Sequence, residues 1–137
     1  MTETIRLINY FYTEVPDKAG EAARILAQLR EAGVYLLAFC GFPKGRRAQL
    51  DFVAPDIAGF KAAARKAKIA LVGPKKAFLI YGEDRTGVGA DLLGKLAEAK
   101  INVTATQAVV AGADRFGMIL WVKAQDVKKA AKVLGAS

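Results

Sequence analysis

The sequence predicts an α+β protein made of two ferredoxin-like βαββαβ units, in which antiparallel strands are covered by helices on one face. The first observation is an internal repeat, because the turn Asp17-Lys18-Ala19-Gly20 recurs as Asp84-Arg85-Thr86-Gly87. The second is that further positions match at the same offset, including the pairs Leu26/Leu93, Leu29/Leu96 and Glu31/Glu98. Such a repeat indicates one supersecondary unit copied twice rather than one large active site.

The first unit is predicted to span residues 1–73. Residues 5–13 are rich in β-branched and aromatic side chains, which is typical of a strand. Residues 20–32 place Ile25 and Leu29 at helical spacing and are followed by Gly33, a common residue at helix ends. The remaining elements of this unit are predicted as strands at 34–42, 48–54 and 69–72 and a helix at 55–67.

The second unit is predicted to span residues 74–137, with Gly73-Pro74 forming a bend between two strands. Its strands are predicted at 77–81, 101–110 and 116–122, and its helices at 88–99 and 126–134. Only residues 135–137 remain where a fourth strand should follow, so this unit is predicted to lack its last strand. The sheet edge left open would favour pairing with another chain.

Composition indicates a folded protein and excludes several classes of catalytic site. With 137 residues and 53% hydrophobic content, the chain can bury a core shared by two half-size units. It contains no histidine, one cysteine (Cys40) and one serine (Ser137). This excludes imidazole catalysis, zinc sites with several Cys or His ligands, and a serine hydrolase. We therefore predict a protein that is not an enzyme and needs no metal or cofactor.

Charge patterning bears on location. Charged residues interrupt every apolar stretch before it reaches the ~18 residues needed to cross a bilayer. The first four residues lack the basic segment that begins a signal peptide. The sequence therefore predicts a cytoplasmic protein that does not interact with membranes.

Each repeated turn lies where a strand ends and a helix begins. The first N–H groups of a helix have no partner within the helix, and the positive end of the helix dipole attracts a carboxylate. Gly20 and Gly87 would let a ligand approach the backbone closely. Asp17 and Asp84 fit two roles, since each could cap the following helix or meet an ammonium group of a ligand. The local sequence leaves both interpretations open.

The segment from Val15 to Val34 resembles the first strand, turn and helix of the ACT domain family. The resemblance lies in its Pro, acidic, basic and Gly residues before a Leu-rich helix that ends in Ala32-Gly33. The second copy is similar, from Asp84 to the strand opening Ile101-Asn102-Val103. ACT domains are regulatory modules that usually bind an amino acid at an interface between two such domains. The resemblance covers nearly the whole chain and implies a sensor rather than a catalyst.

The resemblance also implies which residues face the ligand: those of the turn after the first strand and those at the start of the second strand. In the first copy these positions are Asp17, Lys18, Ala19, Gly20, Val34 and Tyr35. In the second copy they are Asp84, Arg85, Thr86, Gly87, Val88, Asn102 and Thr104. Ala19 and Thr86 depart from the family, because they replace its commoner proline. Since Asn102 follows the family pattern and Tyr35 does not, the second turn is predicted to be the better ligand site.

The formal net charge of +8 makes nucleic acid an alternative partner. RNA-recognition modules share the split βαβ architecture and stack bases on aromatic residues of a defined strand motif. The predicted strands around Phe52 and Trp121 do not match that motif, and the cations are spread over several elements. These observations favour solvated basic helix faces over a nucleic-acid interface.

The sequence thus predicts a non-catalytic regulatory protein of two ACT-like domains that binds a small molecule, specifically an amino acid. We expect a homodimer, because pairing of two chains would complete sheet edges and ligand sites. A sensor without a catalytic domain would transmit its signal through a regulated partner protein. A nucleic-acid-binding module is the alternative.

Overall fold

The computed structural model describes residues 3–137. Within this range the chain forms six strands and four α-helices, which confirms the predicted α+β class. In chain order the elements are β1 (Thr4–Pro16), α1 (Glu21–Glu31), β2 (Ala38–Lys44), β3 (Arg47–Val53), α2 (Ile57–Lys66), β4 (Val72–Glu83), α3 (Val88–Glu98), β5 (Val103–Val110), β6 (Arg115–Val122), a 3-10 turn (Ala124–Asp126) and α4 (Val127–Leu134). None of the helices in residues 3–137 is long and apolar enough to span a membrane.

The chain forms two compact units that differ from a simple division into halves. The central unit consists of Tyr10–Lys75, and the terminal unit joins the described residues up to Asn9 to Lys76–Ser137. The strands hydrogen-bond in the order β2-β3-β1-β4-β6-β5. Each unit therefore has four strands, because β1 and β4 both continue from one unit into the other.

The core of the central unit is aromatic. β3 pairs antiparallel with β1 and with β2, which sets Phe52 opposite both Phe11 and Phe39. The Phe60 ring on α2 lies 5.7 Å from that of Phe11 and 5.5 Å from that of Phe52, measured between centroids. Ile25 and Leu29 of α1 complete this core. Burial of each such side chain stabilises the fold by about 1.5–3 kcal/mol.

The core of the terminal unit is aliphatic for the most part. β4 pairs antiparallel with β6, so that Phe78 lies opposite Leu120 and Ile80 opposite Met118. The helices cover these side chains, and their buried residues are Val88, Leu92 and Leu96 of α3 and Ala130 and Leu134 of α4. The predicted helical spacing in both copies therefore places matched leucines in two separate cores.

The strand that the terminal unit was predicted to lack is supplied by the start of the chain. No strand follows α4 in residues 135–137, as the sequence indicated. The first half of β1 lies next to β4 instead, and Ile5 and Leu7 pack against the terminal core. Leu7 N–H donates to Ser137 O (3.0 Å) and Ser137 N–H donates to Ile5 O (3.1 Å). The expectation of an open edge at this place was wrong, because one long strand serves both units.

Two predicted boundaries are also corrected. Gly73-Pro74 does not form a bend between two strands, since both residues lie inside the continuous strand β4. The fixed φ of proline is compatible with extended backbone, so this dipeptide need not end a strand. The second strand begins at Ala38 rather than at residue 34, because residues 34–37 form a loop between α1 and β2.

Candidate functional site

The first repeated turn is exposed and has no side-chain cap. Asp17, Lys18, Ala19 and Gly20 connect β1 to α1, and all four are exposed. Gly20 is the N-cap of α1 with left-handed φ and ψ of 90° and −13°, and no side chain bonds to the helix start. The α-helical bonds begin with Arg24 N–H donating to Gly20 O at 2.9 Å. Glu21 N–H donates to Lys18 O at 3.4 Å, so the amides directed out of the helix start, where an anion can bind, are those of Ala22 and Ala23.

The second repeated turn has the same backbone geometry. Gly87 is the N-cap of α3 with φ and ψ of 87° and 4°, and again no side chain caps the helix. Asp91 N–H donates to Gly87 O at 3.0 Å, as Arg24 does to Gly20 in the first copy. The interpretation of Asp17 and Asp84 as helix caps is therefore not borne out, and their carboxylates remain available at the surface.

The start of α2 shows what an ordinary cap looks like in the same chain. Asp56 is the N-cap of α2 with extended backbone, and its Oδ1 accepts a hydrogen bond from Gly59 N–H at 3.0 Å. A side-chain cap of this kind stabilises a helix by about 1 kcal/mol. Helices α1 and α3 lack this stabilisation and begin with a left-handed glycine instead. Helix α4 also has no side-chain cap, but a 3-10 turn leads directly into it, so α1 and α3 are the two helices that begin at an exposed glycine.

A groove of about 300 Å³ lies beside the first turn. Its rim carries charged side chains of the turn and of α1, namely Asp17, Lys18 and Glu21. Its apolar part comes from three strands and consists of Val15, Pro16, Gly41, Phe42, Pro43, Ala48 and Leu50, with Ala22 of α1. The sequence did not assign the β2 residues to the site, although a glycine inside a strand is a known signal of close approach. An apolar groove with a few charged groups is the usual form of a small-molecule site.

Glu21 is fixed at the rim of this groove. Its Oε1 accepts a hydrogen bond from Arg24 Nη2 at 2.9 Å. This bond, together with the nearby charges of Arg24 and Lys18, lowers the pKa of Glu21 below its usual 4.5. The groove rim therefore carries a carboxylate at neutral pH.

The second turn has a different environment. Arg85 Nη1 donates to Asp91 Oδ2 at 2.7 Å, and Arg85 Nε lies 3.7 Å from Glu3 Oε2. The hydrogen bond to Asp91 is the main reason that the pKa of Arg85 is raised. Val88 is buried in the terminal core. Asp84 N–H donates to Asp114 O at 2.7 Å, which holds this turn to the β5–β6 loop.

The other predicted site residues lie away from the turns. Val34 and Tyr35 follow α1, and Asn102 follows α3. Since each of these helices has 11 residues, the turn and the later residues are about 16 Å apart along the helix axis. Thr104 lies at a register shift between β5 and β6, and its hydroxyl donates to Trp121 O at 3.0 Å. A single unit therefore does not bring the two halves of the predicted site together.

A polar cluster around Asp51 lies on the face of the central sheet that α1 and α2 do not cover. Asp51 is opposite both Tyr12 and Cys40 in the strand register, and only 3% of it is exposed. Its Oδ1 accepts a hydrogen bond from Gln49 Nε2 at 2.8 Å. Burial raises the pKa of Asp51, and burial together with the Asp51 charge raises the pKa of Cys40 to about 11. The Cys40 thiol is therefore protonated at neutral pH and unsuited to nucleophilic chemistry.

Comparison with known proteins identifies the fold. No protein-family profile matches the sequence, and no curated protein matches it either. The chain is similar to a crystal structure of a protein from Bacteroides thetaiotaomicron, with a TM-score of 0.81, 15% identity, and coverage of 96% of this chain and 88% of that one. It is also similar to the ligand-free regulatory subunit of aspartate kinase from Thermus thermophilus, with a TM-score of 0.63 and 21% identity. Coverage there is 98% of this chain and 95% of that one.

A third similar structure is the regulatory subunit of aspartate kinase from Thermus flavus, with a TM-score of 0.61, 14% identity and the same coverage of 98% and 95%. At these identities the likeness is one of fold, and it extends over nearly the whole chain. The two repeated turns each join a strand to a helix, one in each of the two four-stranded units. The chain therefore has the tandem ACT-type fold of aspartate kinase regulatory domains.

Proposed function

We propose that this protein is a regulatory protein that binds an amino acid at the first turn. The observation that carries this proposal is the uncapped start of α1 at Gly20, next to a groove of about 300 Å³. The amides of this helix start and the positive end of its dipole would bind the ligand carboxylate. Asp17 and Glu21 at the rim would attract the ammonium group, and the apolar part of the groove would receive the side chain.

Two observations favour the first turn over the second, which the sequence had favoured. The described groove lies beside the first turn, and the cation of the second turn, Arg85, already pairs with Asp91 and Glu3. Lys18 makes no ion pair within the described residues and remains available for a ligand carboxylate.

A homodimer would bring the two halves of the predicted site together. β2 is at one end of the strand order, and Phe39 and Phe42 on it are exposed. If β2 pairs antiparallel with β2 of a second copy, the start of one strand meets the end of the other. Tyr35, which is 69% exposed, would then reach the groove at Gly41 and Phe42 of the other copy. The proposed site is therefore shared between two chains, and its occupancy would be passed to a regulated partner protein.

A thermal-shift screen of the twenty amino acids tests the binding proposal. We expect at least one to raise the melting temperature, because a ligand that binds only the folded state stabilises it. Gly20→Asp should weaken this ligand about tenfold or more, since a carboxylate is added at the anion site. Gly135→Asp is the matched control, because Gly135 also has positive φ but follows α4, away from both parts of the proposed site. Gly87→Asp should leave binding unchanged.

Two outcomes would contradict binding of an amino acid at the first turn, and they differ in what they imply. If Gly87→Asp abolishes the shift and Gly20→Asp does not, the ligand binds at the second turn. If no amino acid shifts the melting temperature and the protein instead binds RNA in a salt-sensitive manner, the sensor proposal fails and the nucleic-acid alternative stands.

Mixing two defective variants tests the shared site. Gly20→Asp damages the turn, and Tyr35→Ala damages the part proposed to come from the other chain. In mixed dimers, one of the two sites would be intact, so an equimolar mixture should recover about a quarter of the sites. If the mixture still fails to bind the ligand after subunit exchange, the site belongs to one chain.

A further inference from the structure

A second groove lies in the central unit, away from the repeated turns. Its volume is about 250 Å³, and it is bounded by the C-terminal half of α2 and the chain that leads into β4. The apolar side chains that line it are Phe11, Ala64, Ile69 and Leu71. It shares no lining residue with the groove beside the first turn.

The rim of this second groove carries two cations from α2. Lys61 and Arg65 are four residues apart, so they lie on the same side of the helix. Neither makes an ion pair within residues 3–137, whereas Arg24, Lys44 and Arg85 each pair with an acid. Between Asp56 and Glu83 the sequence contains lysine and arginine but no aspartate or glutamate. The second groove therefore combines an apolar lining with an uncompensated positive rim.

This combination specifies the chemistry of an occupant. An inorganic anion would use the rim and leave the lining in contact with water, and a neutral hydrocarbon would leave the cations without a counter-charge. A carboxylate with a short hydrocarbon tail satisfies both surfaces. A volume of 250 Å³ corresponds to about eight water-sized volumes of ~30 Å³ each. Hexanoate, with its eight non-hydrogen atoms, is a probe of matching size.

We infer that the groove formed by α2 and the start of β4 is a binding site for short-chain aliphatic carboxylates, held by Lys61 and Arg65. The carboxylate accepts hydrogen bonds from these two side chains, and the tail lies over Ile69 and Leu71. The site is separate from the amino-acid site proposed above, so either one can be present without the other.

Calorimetric titration with hexanoate tests this inference. We expect binding by the unmodified protein, and Arg65→Gln and Lys61→Gln should each raise the Kd about fivefold, as loss of an exposed ion pair can do. Lys66→Gln is the matched control, because it removes the same charge from the neighbouring position of α2 but does not line the groove. It should leave the Kd within twofold.

Two further measurements test the role of the hydrocarbon tail and the location of the bound hexanoate. Acetate and 1-hexanol should each bind more weakly than hexanoate, since one lacks the tail and the other lacks the charge. Amide chemical shifts should change on α2 and at residues 69–73 and remain constant at the first turn. Gly20→Asp should not alter the Kd for hexanoate, which keeps this test independent of the amino-acid site.

Several results would overturn the inference. They are absence of hexanoate binding to the unmodified protein, equal effects of Arg65→Gln and Lys66→Gln, binding of acetate as tight as that of hexanoate, or chemical-shift changes confined to the first turn. The glutamine variants replace exposed side chains, so we expect their circular dichroism and melting temperature to match those of the unmodified protein.

Discussion

The two repeated turns have the same backbone and different surroundings. Gly20 and Gly87 have nearly equal positive φ angles, and both begin a helix without a side-chain cap. Around the first turn lies a groove with a charged rim, whereas at the second turn Arg85 is bound to Asp91 and position 88 is a buried valine. Duplication has therefore kept the main-chain geometry, and the side chains that decide what can bind have diverged.

The largest effect is expected where the two copies are still equivalent. Leu29 and Leu96 are matched positions of the repeat, and each is buried in the core of its own unit. Leu29→Ala and Leu96→Ala should each lower the free energy of unfolding by about 2–5 kcal/mol in denaturant titrations. Arg30→Ala, at an exposed position of α1, is the control and should cost less than about 0.5 kcal/mol. A cost below 1 kcal/mol for either leucine would contradict the equivalence of the two cores.

A smaller effect distinguishes the repeated turns from an ordinary helix start. Asp56→Ala removes the hydrogen bond to Gly59 N–H and should destabilise the protein by about 1 kcal/mol. Asp17→Ala and Asp84→Ala should change stability by less than about 0.5 kcal/mol, because neither side chain caps its helix. If Asp17→Ala costs as much as Asp56→Ala, the first turn is a cap and its helix start is not open.

The ion pair of the second turn should contribute less still. Asp91→Asn removes the negative charge that pairs with Arg85 and leaves an amide oxygen that can still accept its hydrogen bond, and both side chains are partly exposed. We expect a loss of at most about 1 kcal/mol at low ionic strength, and the difference should vanish in ~1 M salt. Persistence of the difference at high salt would indicate that the carboxylate has a structural role beyond the ion pair.

The smallest effect concerns pH. Glu21 is a carboxylate at the position that Val88 occupies in the second copy, and Arg24 lowers its folded-state pKa. A lowered pKa means that the folded state favours the charged form, so this stabilisation is present above the unfolded pKa and is lost as pH falls through the folded pKa. Glu21→Gln should therefore lower the melting temperature slightly at neutral pH and not at all in strong acid. An equal difference at both pH values would contradict the assignment.

The sequence was sufficient for the parts of the fold that local periodicity controls. The leucine spacing and the Asp-x-x-Gly turns predicted α1 and α3 to within two residues of their observed limits. The apolar residues 34–37 had suggested an early start for β2, yet the strand begins at Ala38. Apolar content does not distinguish a packed loop from a strand, because both bury side chains.

Other features depend on pairing between distant segments. The apolar sequence of the first half of β1 predicts a strand, but it does not predict that this strand lies next to β4. The groove beside the first turn includes Gly41 and Phe42, which join the site only because β2 pairs with β3 and β3 pairs with β1. The burial of Asp51 follows from the same pairing. These features therefore became visible only in three dimensions.

The hydrogen bonds between Ser137 and the first half of β1 have a consequence for biogenesis. The central unit is one continuous stretch of sequence, so all of its contacts are available once Lys75 has left the ribosome. The terminal unit needs residues from both ends of the described chain. Its hydrogen bonds between residues 5–7 and residue 137 join segments that are far apart in the sequence. Because contacts between distant residues form slowly, the central unit should fold during synthesis and the terminal unit after it. A fusion placed beyond Ser137 would therefore hinder the terminal unit first.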